Sequence, residues 1–386
     1  MTKFTHDKAL PIGHLLEWGK YPYRITKLIN ADGLGFTYRA KVLSDEAEIK
    51  DVVIREFFMA RCCYRGDDGA EMLCSDEIES TVADTLTRHA QNLIKRREVS
   101  KDFPSLISIL DIFEANGTYY HVAECLDQGT LQDLVEKKGP MEPIEARKIM
   151  VPIFNAVRHL HASNILHTDI CPTHIRFKDG KPVLTHLYAA KQFSADGEED
   201  VSLPTLHVRE GYAAPELYGP VENFLPQIDI YSLAATIIFC FTGKHLPSSL
   251  VLTEEMLLDF LPKNLSKPMI SALFHATITD INERTSSVSV FREELDVNYE
   301  LLHVKKDSEK KSRFEKWVDK VKNRLVALFP LRKTDTGVNE DLDEDPELNV
   351  DEIEASMNEA YPRLIVIGGL TIFVIVALLV SMFLIF

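Results

Sequence analysis

Cysteine is scarce and unpatterned in this chain, with six residues among 386 (Cys62, Cys63, Cys74, Cys125, Cys171 and Cys240) and neither a C-x-x-C pair nor a zinc-ligand spacing. That pattern reads as reduced, mostly structural thiols of a cytosolic compartment. Positive charge is also in deficit: 43 Lys and Arg against 59 Asp and Glu leave a formal net charge of −16. An acidic protein repels phosphate backbones, so nucleic acid is not expected as a partner. The first residues, MTKFTHDKALPIGHLLEW, lack an apolar run long enough for a secretory signal.

Long apolar runs are absent except at the far end. Leu364 to Phe386 is 23 residues without a charge, about 34 Å as a helix against a hydrocarbon core of about 30 Å, and is expected to span a membrane. Arg332, Lys333 and Arg363 precede it and no charge follows, which places the large domain on the cytoplasmic side. Charge is unevenly spread upstream. Residues 305–333 carry eleven Lys and Arg against four acids, whereas residues 334–360 carry eleven acids and no base. The first stretch includes an amphipathic pattern over 313–329 (Phe314, Trp317, Val321, Leu325, Leu328), suited to anionic lipid, to docking on a partner or to packing back as an extra helix. The second is expected to be a self-repelling spacer.

The remaining composition, 45% apolar and 26% charged, is that of a globular chain, long enough for one two-lobed domain of roughly 250 to 300 residues. Tyr23 to Ala40 alternates apolar and polar on either side of an Asp-Gly turn, as paired strands do. Asp51 to Phe58, DVVIREFF, is a β-branched strand, and Phe113 to Thr118 turns through Asn116-Gly117. Helices are expected over Val82 to Arg97, from Gly129 to Val135, and over Glu142 to Ala162. In the last of these Ile144, Ile149, Ile153, Val157 and Leu160 share the core-facing spacing.

Within this frame His167 to Tyr188, HTDICPTHIRFKDGKPVLTHLY, resembles the catalytic core of a protein kinase, in which a His-Arg-Asp loop leads through Lys-Pro to an Asn and then to Asp-Phe-Gly. His167 and Asp169 stand at the loop His and the catalytic Asp, and Pro172 is kept. Thr168 replaces the Arg, Cys171 the Lys, His174 the magnesium-binding Asn, and His186 to Tyr188 the Asp-Phe-Gly. The strand DVVIREFF resembles that of bacterial Ser/Thr kinases with Arg55 in place of the phosphate-anchoring Lys. Asn30, Asp32 and Gly35 fall at the three glycines of the phosphate loop. GYAAPEL at Gly211, DIYSLAATIIF at Asp229 and NER at Asn282 resemble later kinase motifs, so the likeness runs from Tyr23 to Leu295.

The resemblance implies an α+β fold of two lobes, a small β-rich lobe over 23–125 and a larger helical lobe over 126–300. An extension over 1–22, a basic segment over 301–333, an acidic linker over 334–363 and a transmembrane helix over 364–386 complete the expected layout. It also implies that Glu216 pairs with Arg284 and that Asp229 braces the backbone around His167. Gly33, Gly35, Arg55 and Glu124 form the degenerate remnant of a nucleotide site, although Gly33-x-Gly35 reads equally as a hairpin turn. A compact ammonium has become a forked guanidinium, an Asp in the loop repels anions, and the helix that should supply a Glu shows Asn92, Leu93 and Ile94 instead, with Glu98 displaced. Asp169 is either a remnant base or an Asp kept for hydrogen bonds in its own turn. His174 and His186 are satisfied histidines or, with Asp169, ligands for zinc, iron or nickel, imidazole being poor for magnesium. The expectation is a membrane-anchored pseudokinase of a bacterial inner membrane that binds a partner protein and has no dedicated cofactor, with ATP or ADP binding doubtful and magnesium not expected. An atypical active kinase using Asp169 and a purely structural membrane scaffold are the alternatives.

Overall fold

The computed structural model describes residues 6–47, 49–193, 208–219 and 224–295. The small lobe is built from β1 (Leu15–Leu16), β2 (Tyr23–Asp32), β3 (Gly35–Val42), β4 (Asp51–Phe57), a short hairpin of β5 (Cys63–Arg65) and β6 (Met72–Cys74), α1 (Glu79–Ser100), β7 (Ile109–Ala115) and β8 (Thr118–Glu124). Its main sheet has the order β1-β2-β3-β4-β8-β7, every neighbour antiparallel. Alternation puts Phe36, Tyr38 and Ala40 of β3 and Val52 and Ile54 of β4 into one apolar core with Phe113, Tyr120 and Val122. Gly35 closes the β2–β3 turn at φ +141°, where a Cβ would stand 1.9 Å from the carbonyl oxygen of Glu56. Only glycine lets β4 approach so closely.

The large lobe holds α2 (Leu131–Lys138), α3 (Pro143–Ala162), β9 (Ile165–Leu166), β10 (Ile175–Lys178), β11 (Lys181–Leu184), β12 (Lys191–Gln192), α4 (Gln227–Thr242), α5 (Glu254–Phe260) and α6 (Lys267–Thr277). Thr130 starts α2 with a capping box: its hydroxyl accepts from Asp133 N–H at 3.1 Å while Asp133 accepts from Thr130 N–H at 2.8 Å. Every side chain of α4 from Ile228 to Phe241 is buried, as in a helix surrounded by its own domain. The two antiparallel residue pairs of β9 and β12 tie the segment after β11 to the stretch preceding His167.

Several expectations change. The chain before Tyr23, expected as an N-terminal extension, packs on the small lobe, where β1 pairs with β2 and Leu10 and Leu16 are buried; a two-residue strand is too short to show alternation. Ile144 is 40% exposed and Ile149 half-buried, while Ala146, Met150, Ile153, Phe154, Val157 and Leu160 face the core. Ile144 lies in the first turn beside Pro143, at the rim of the helix contact. α2 begins at Leu131, since Gly129 adopts φ +84° and cannot enter the helix. No helix among the described residues is long and apolar enough to cross a membrane. The amphipathic segment 313–329, the acidic stretch 334–360 and the apolar Leu364 to Phe386 all lie outside the described residues.

Candidate functional site

The loop that begins at His167 is fixed from below by Asp229 at the start of α4. One oxygen of that carboxylate accepts from His167 N–H and from His161 Nε2, the other from Thr168 N–H, each at 2.8 Å. Burial works against ionisation, but the His161 contact and the amides around His167 hold the Asp229 carboxyl below its ordinary range. The brace supports a strained backbone: Thr168, β-branched, stands at φ +62°. His167 Nε2 reaches the Thr185 carbonyl at 2.7 Å, and Asp169 N–H donates to His167 Nδ1 at 3.2 Å. Glu216, half-buried, and Arg284, buried, form a bidentate pair at 2.8 and 3.2 Å, and Arg284 also donates to the carbonyls of Gln227, Ile278 and Thr279.

The loop's chemistry is arranged around Asp169, which is buried. Arg209 donates to its two carboxylate oxygens at 3.1 and 3.4 Å, so a cation arriving from 40 residues downstream stands beside the acid where Cys171 has replaced the usual Lys. His174 Nδ1 donates to the Asp169 carbonyl at 2.7 Å, leaving Nε2 to accept from Arg209 at 3.1 Å. Burial, aided by Arg209, lowers the His174 pKa to about 4, and burial with the neighbouring His174 holds that of His186 well below the ordinary imidazole value, so both rings are neutral at pH 7. The two rings stack at 3.5 Å between centroids and 14° between planes. Stacked imidazoles direct their nitrogens side by side rather than toward one point, which does not suit the His174 and His186 pair to sharing an ion. His186 itself occupies φ +66°.

Above the loop the small lobe closes on its own charges. Arg55 on β4 is buried, with Nη2 2.5 Å from Oδ1 of Asp32 on β2 and Nη1 donating to Thr37 at 3.0 Å. Its guanidinium lies 4.4 Å from the ring centroid of Tyr188 in the large lobe. Burial alone would favour a neutral Arg55; Tyr188 and Asp32 reverse that and hold it charged. Asp32, read from sequence as an anion repeller, is therefore an anion already bound. Gly33 is buried in the same turn, and Leu34 N–H donates to Asp32 Oδ1 at 2.9 Å. Glu124, at the end of β8, accepts from Lys178 at 2.6 Å.

The inner face of α1 carries His89, Asn92, Leu93 and Arg96, with Ile94 and Glu98 exposed. Instead of a carboxylate reaching toward Arg55, Arg96 reaches past it to the carbonyls of Tyr188, at 3.2 Å, and Ala190. Burial lowers its pKa to about 10, which leaves it charged. Arg96, Arg209 and the contact of Tyr188 with Arg55 escaped the sequence reading because the partners are backbone, ring face or residues far along the chain. The Asp32 and Arg55 pair was more accessible: an acid and a base both stood at altered positions on strands flanking β3.

A sheet-and-helix small lobe over a helical lobe, with a His-x-Asp loop between them, defines a bilobal kinase-like fold. The chain belongs to the protein kinase domain family, which matches residues 70–292. It is 25% identical over 229 residues to the serine/threonine-protein kinase PknA of Nostoc sp., covering 58% of this chain and 37% of that protein. It is 40% identical over 76 residues to PrkC of Bacillus subtilis, covering 20% and 12% respectively. The chain thus spans well under half the length of these relatives. Among solved structures, the apo form of PpkA-294 superposes with a TM-score of 0.52 at 23% identity, covering 75% of this chain and 99% of that one; this supports the fold.

Proposed function

We propose that the chain is a membrane-anchored pseudokinase, a kinase fold that binds a partner protein on the cytoplasmic face of a bacterial inner membrane and does not transfer phosphate. The observation that carries this reading is the closed set Asp32, Arg55 and Tyr188. Phosphoryl transfer relies on positioning and on cations that meet the nucleotide phosphates. Here the strand cation is buried against an internal carboxylate and an aromatic ring, and the two metal-holding positions are neutral, stacked histidines. A nucleotide would have to displace Asp32 from a buried ion pair before it gained a contact. Anchoring rests on the uninterrupted apolar residues 364–386 and the basic residues before them.

A second reading has one observation in its favour. Arg209 brings a cation to Asp169 and restores the charge lost at Cys171, as an atypical active kinase would require. Radiolabelled ATP with magnesium or manganese, incubated with the full chain and generic protein substrates, separates the two. The pseudokinase reading expects no transfer above background, and label incorporation that disappears in Asp169→Ala establishes the active one.

A further inference from the structure

Among the described residues one group of donors comes together: an oxygen of Asp169, Sγ of Cys171 and a ring nitrogen of His174 lie within 4.8 Å of one another, all three residues buried. Histidine's second nitrogen is held as metal-ligating histidines hold theirs, with Nδ1–H on a backbone carbonyl, that of Asp169, at 2.7 Å. Nε2 is therefore a free lone pair whose occupant is Arg209 Nη2, at 3.1 Å, and the same Nη2 stands 3.4 Å from Asp169 Oδ2. A cation thus already sits at the point that the carboxylate and the imidazole both face. We propose that Asp169, Cys171 and His174 form a zinc site, with Arg209 as the displaceable cation that fills it when the ion is away.

The ligand set is the argument for zinc over magnesium. One carboxylate, one thiolate and one imidazole are borderline-soft donors that a hard ion needing six oxygens does not select. Contraction of the Asp169 and His174 donors by about 1 Å from their distances to Arg209 reaches the zinc–ligand range of about 2.0–2.2 Å, and Cys171 Sγ lies within 4.8 Å of a donor atom of each. Charge is conserved in the exchange. The closed state holds Arg209 positive, Asp169 negative and Cys171 as thiol; the loaded state holds a divalent ion with carboxylate and thiolate. On loading, the Cys171 S–H bond breaks and its proton passes to solvent as the Zn–S bond forms, and nothing is oxidised or reduced. The arginine side chain is 41% exposed, so its guanidinium has solvent to move into. His186, stacked on His174, fixes the ring plane and is a positioning residue. An ion held here occupies Asp169 and moves Arg209 away, so the site accords with the pseudokinase reading, and metal binding is measured separately from phosphoryl transfer.

The test uses the full chain in detergent, stripped with a chelator and titrated with zinc against a chromophoric competitor, and in parallel with Co²⁺ as a spectroscopic substitute. The expected result is one ion per chain, with a thiolate-to-cobalt charge-transfer band in the unmodified protein. Cys171→Ser should abolish the band, while the triple variant Cys62→Ser, Cys63→Ser, Cys74→Ser retains it. Because a competing charge-assisted contact is lost, Arg209→Ala should raise zinc affinity about tenfold or more. A cobalt spectrum without thiolate character overturns the proposal without relying on any variant. So does zinc binding unchanged in a folded Cys171→Ser, His174→Ala protein, or an affinity unmoved by Arg209→Ala.

Discussion

Nη2 of Arg55 stands 2.5 Å from Oδ1 of Asp32, two strands away across β3, and both side chains are buried. The strand position that presents a phosphate-anchoring cation in the kinase family is here satisfied from within. A buried pair of this kind is costly to halve, because the survivor keeps its desolvation penalty and loses its compensation. Asp32→Ala is therefore expected to lower stability by about 3–5 kcal/mol, whereas the apolar double replacement Asp32→Leu, Arg55→Met should stay within about 1–2 kcal/mol of the unmodified protein. Urea denaturation of the unmodified protein, Asp32→Leu, Arg55→Met and the double variant measures the coupling. A coupling energy near zero would show that the two charges are independently solvated.

Acid should unfold this protein early. Burial, with Arg55 and Arg96 nearby, lowers the His121 pKa to about 3, and burial lowers that of His174 to about 4. His89 and His186 are pushed well below the ordinary value by the same cause. The folded values lie beneath the unfolded value of about 6.5, so the unfolded chain takes up protons first as pH falls. Stability is complete above about pH 6.5 and declines below it, by up to about 1.4 kcal/mol per pH unit for each histidine, with the His174 contribution levelling off near pH 4. Asp229, whose pKa is depressed, adds its own loss only below the carboxylate range. Denaturation midpoints between pH 7.5 and 4.5 give the slope, and His121→Phe should flatten it. An unchanged slope in that variant would mean His121 is accessible to protons in the folded state.

The fold was legible where the chemistry is local. Strand alternation in β2 and β3, the β-branched run of β4, the Asn116-Gly117 turn and the spacing of α3 all follow from neighbouring residues, and the order of kinase-like motifs supplied the lobes. What the sequence concealed is the pairing of altered positions with each other. Nothing near Cys171 announces that Arg209 supplies the missing charge, since 38 residues separate them and the link exists only after folding. Glu56 was equally silent: one carboxylate among 59 acids, and yet fully buried.

Membrane attachment is expected to depend on one segment. Deleting Leu364 to Phe386 removes 23 uncharged residues whose burial in hydrocarbon has no substitute elsewhere in the sequence. The shortened protein should appear in the soluble fraction, and the intact one should resist carbonate extraction. Retention of the shortened form in carbonate-washed membranes would refute this anchor, whereas retention only in unwashed membranes would transfer the attachment to the basic residues 305–333. Sensitivity of that retention to salt would then identify electrostatic attachment to anionic lipid.

Glu56 offers a test of how far the small lobe stands on a single buried charge. Its two oxygens accept from Arg65 at 2.8 and 2.7 Å, from the Tyr38 hydroxyl at 2.8 Å and from the Tyr120 hydroxyl at 2.7 Å. Arg65 in turn lies 4.4 Å from the centroid of Phe58 and donates to the carbonyls of Lys8 and Ala70, joining the chain before β1 to the β5–β6 hairpin. Glu56→Gln keeps the shape but turns an amide N–H₂ toward two donors, Arg65 and one tyrosine hydroxyl, and leaves Arg65 without its counter-charge. A loss of about 3–5 kcal/mol is expected, with Glu56→Leu at least as damaging because both hydroxyls then lose their acceptor as well. Hydrogen exchange localises the effect: amides of β3, β4 and β8 should lose protection, while those of α4, supported by Asp229 and the Glu216–Arg284 pair, keep theirs. Equal loss in α4 would instead show that the Arg55 and Tyr188 contact couples the lobes into one cooperative unit.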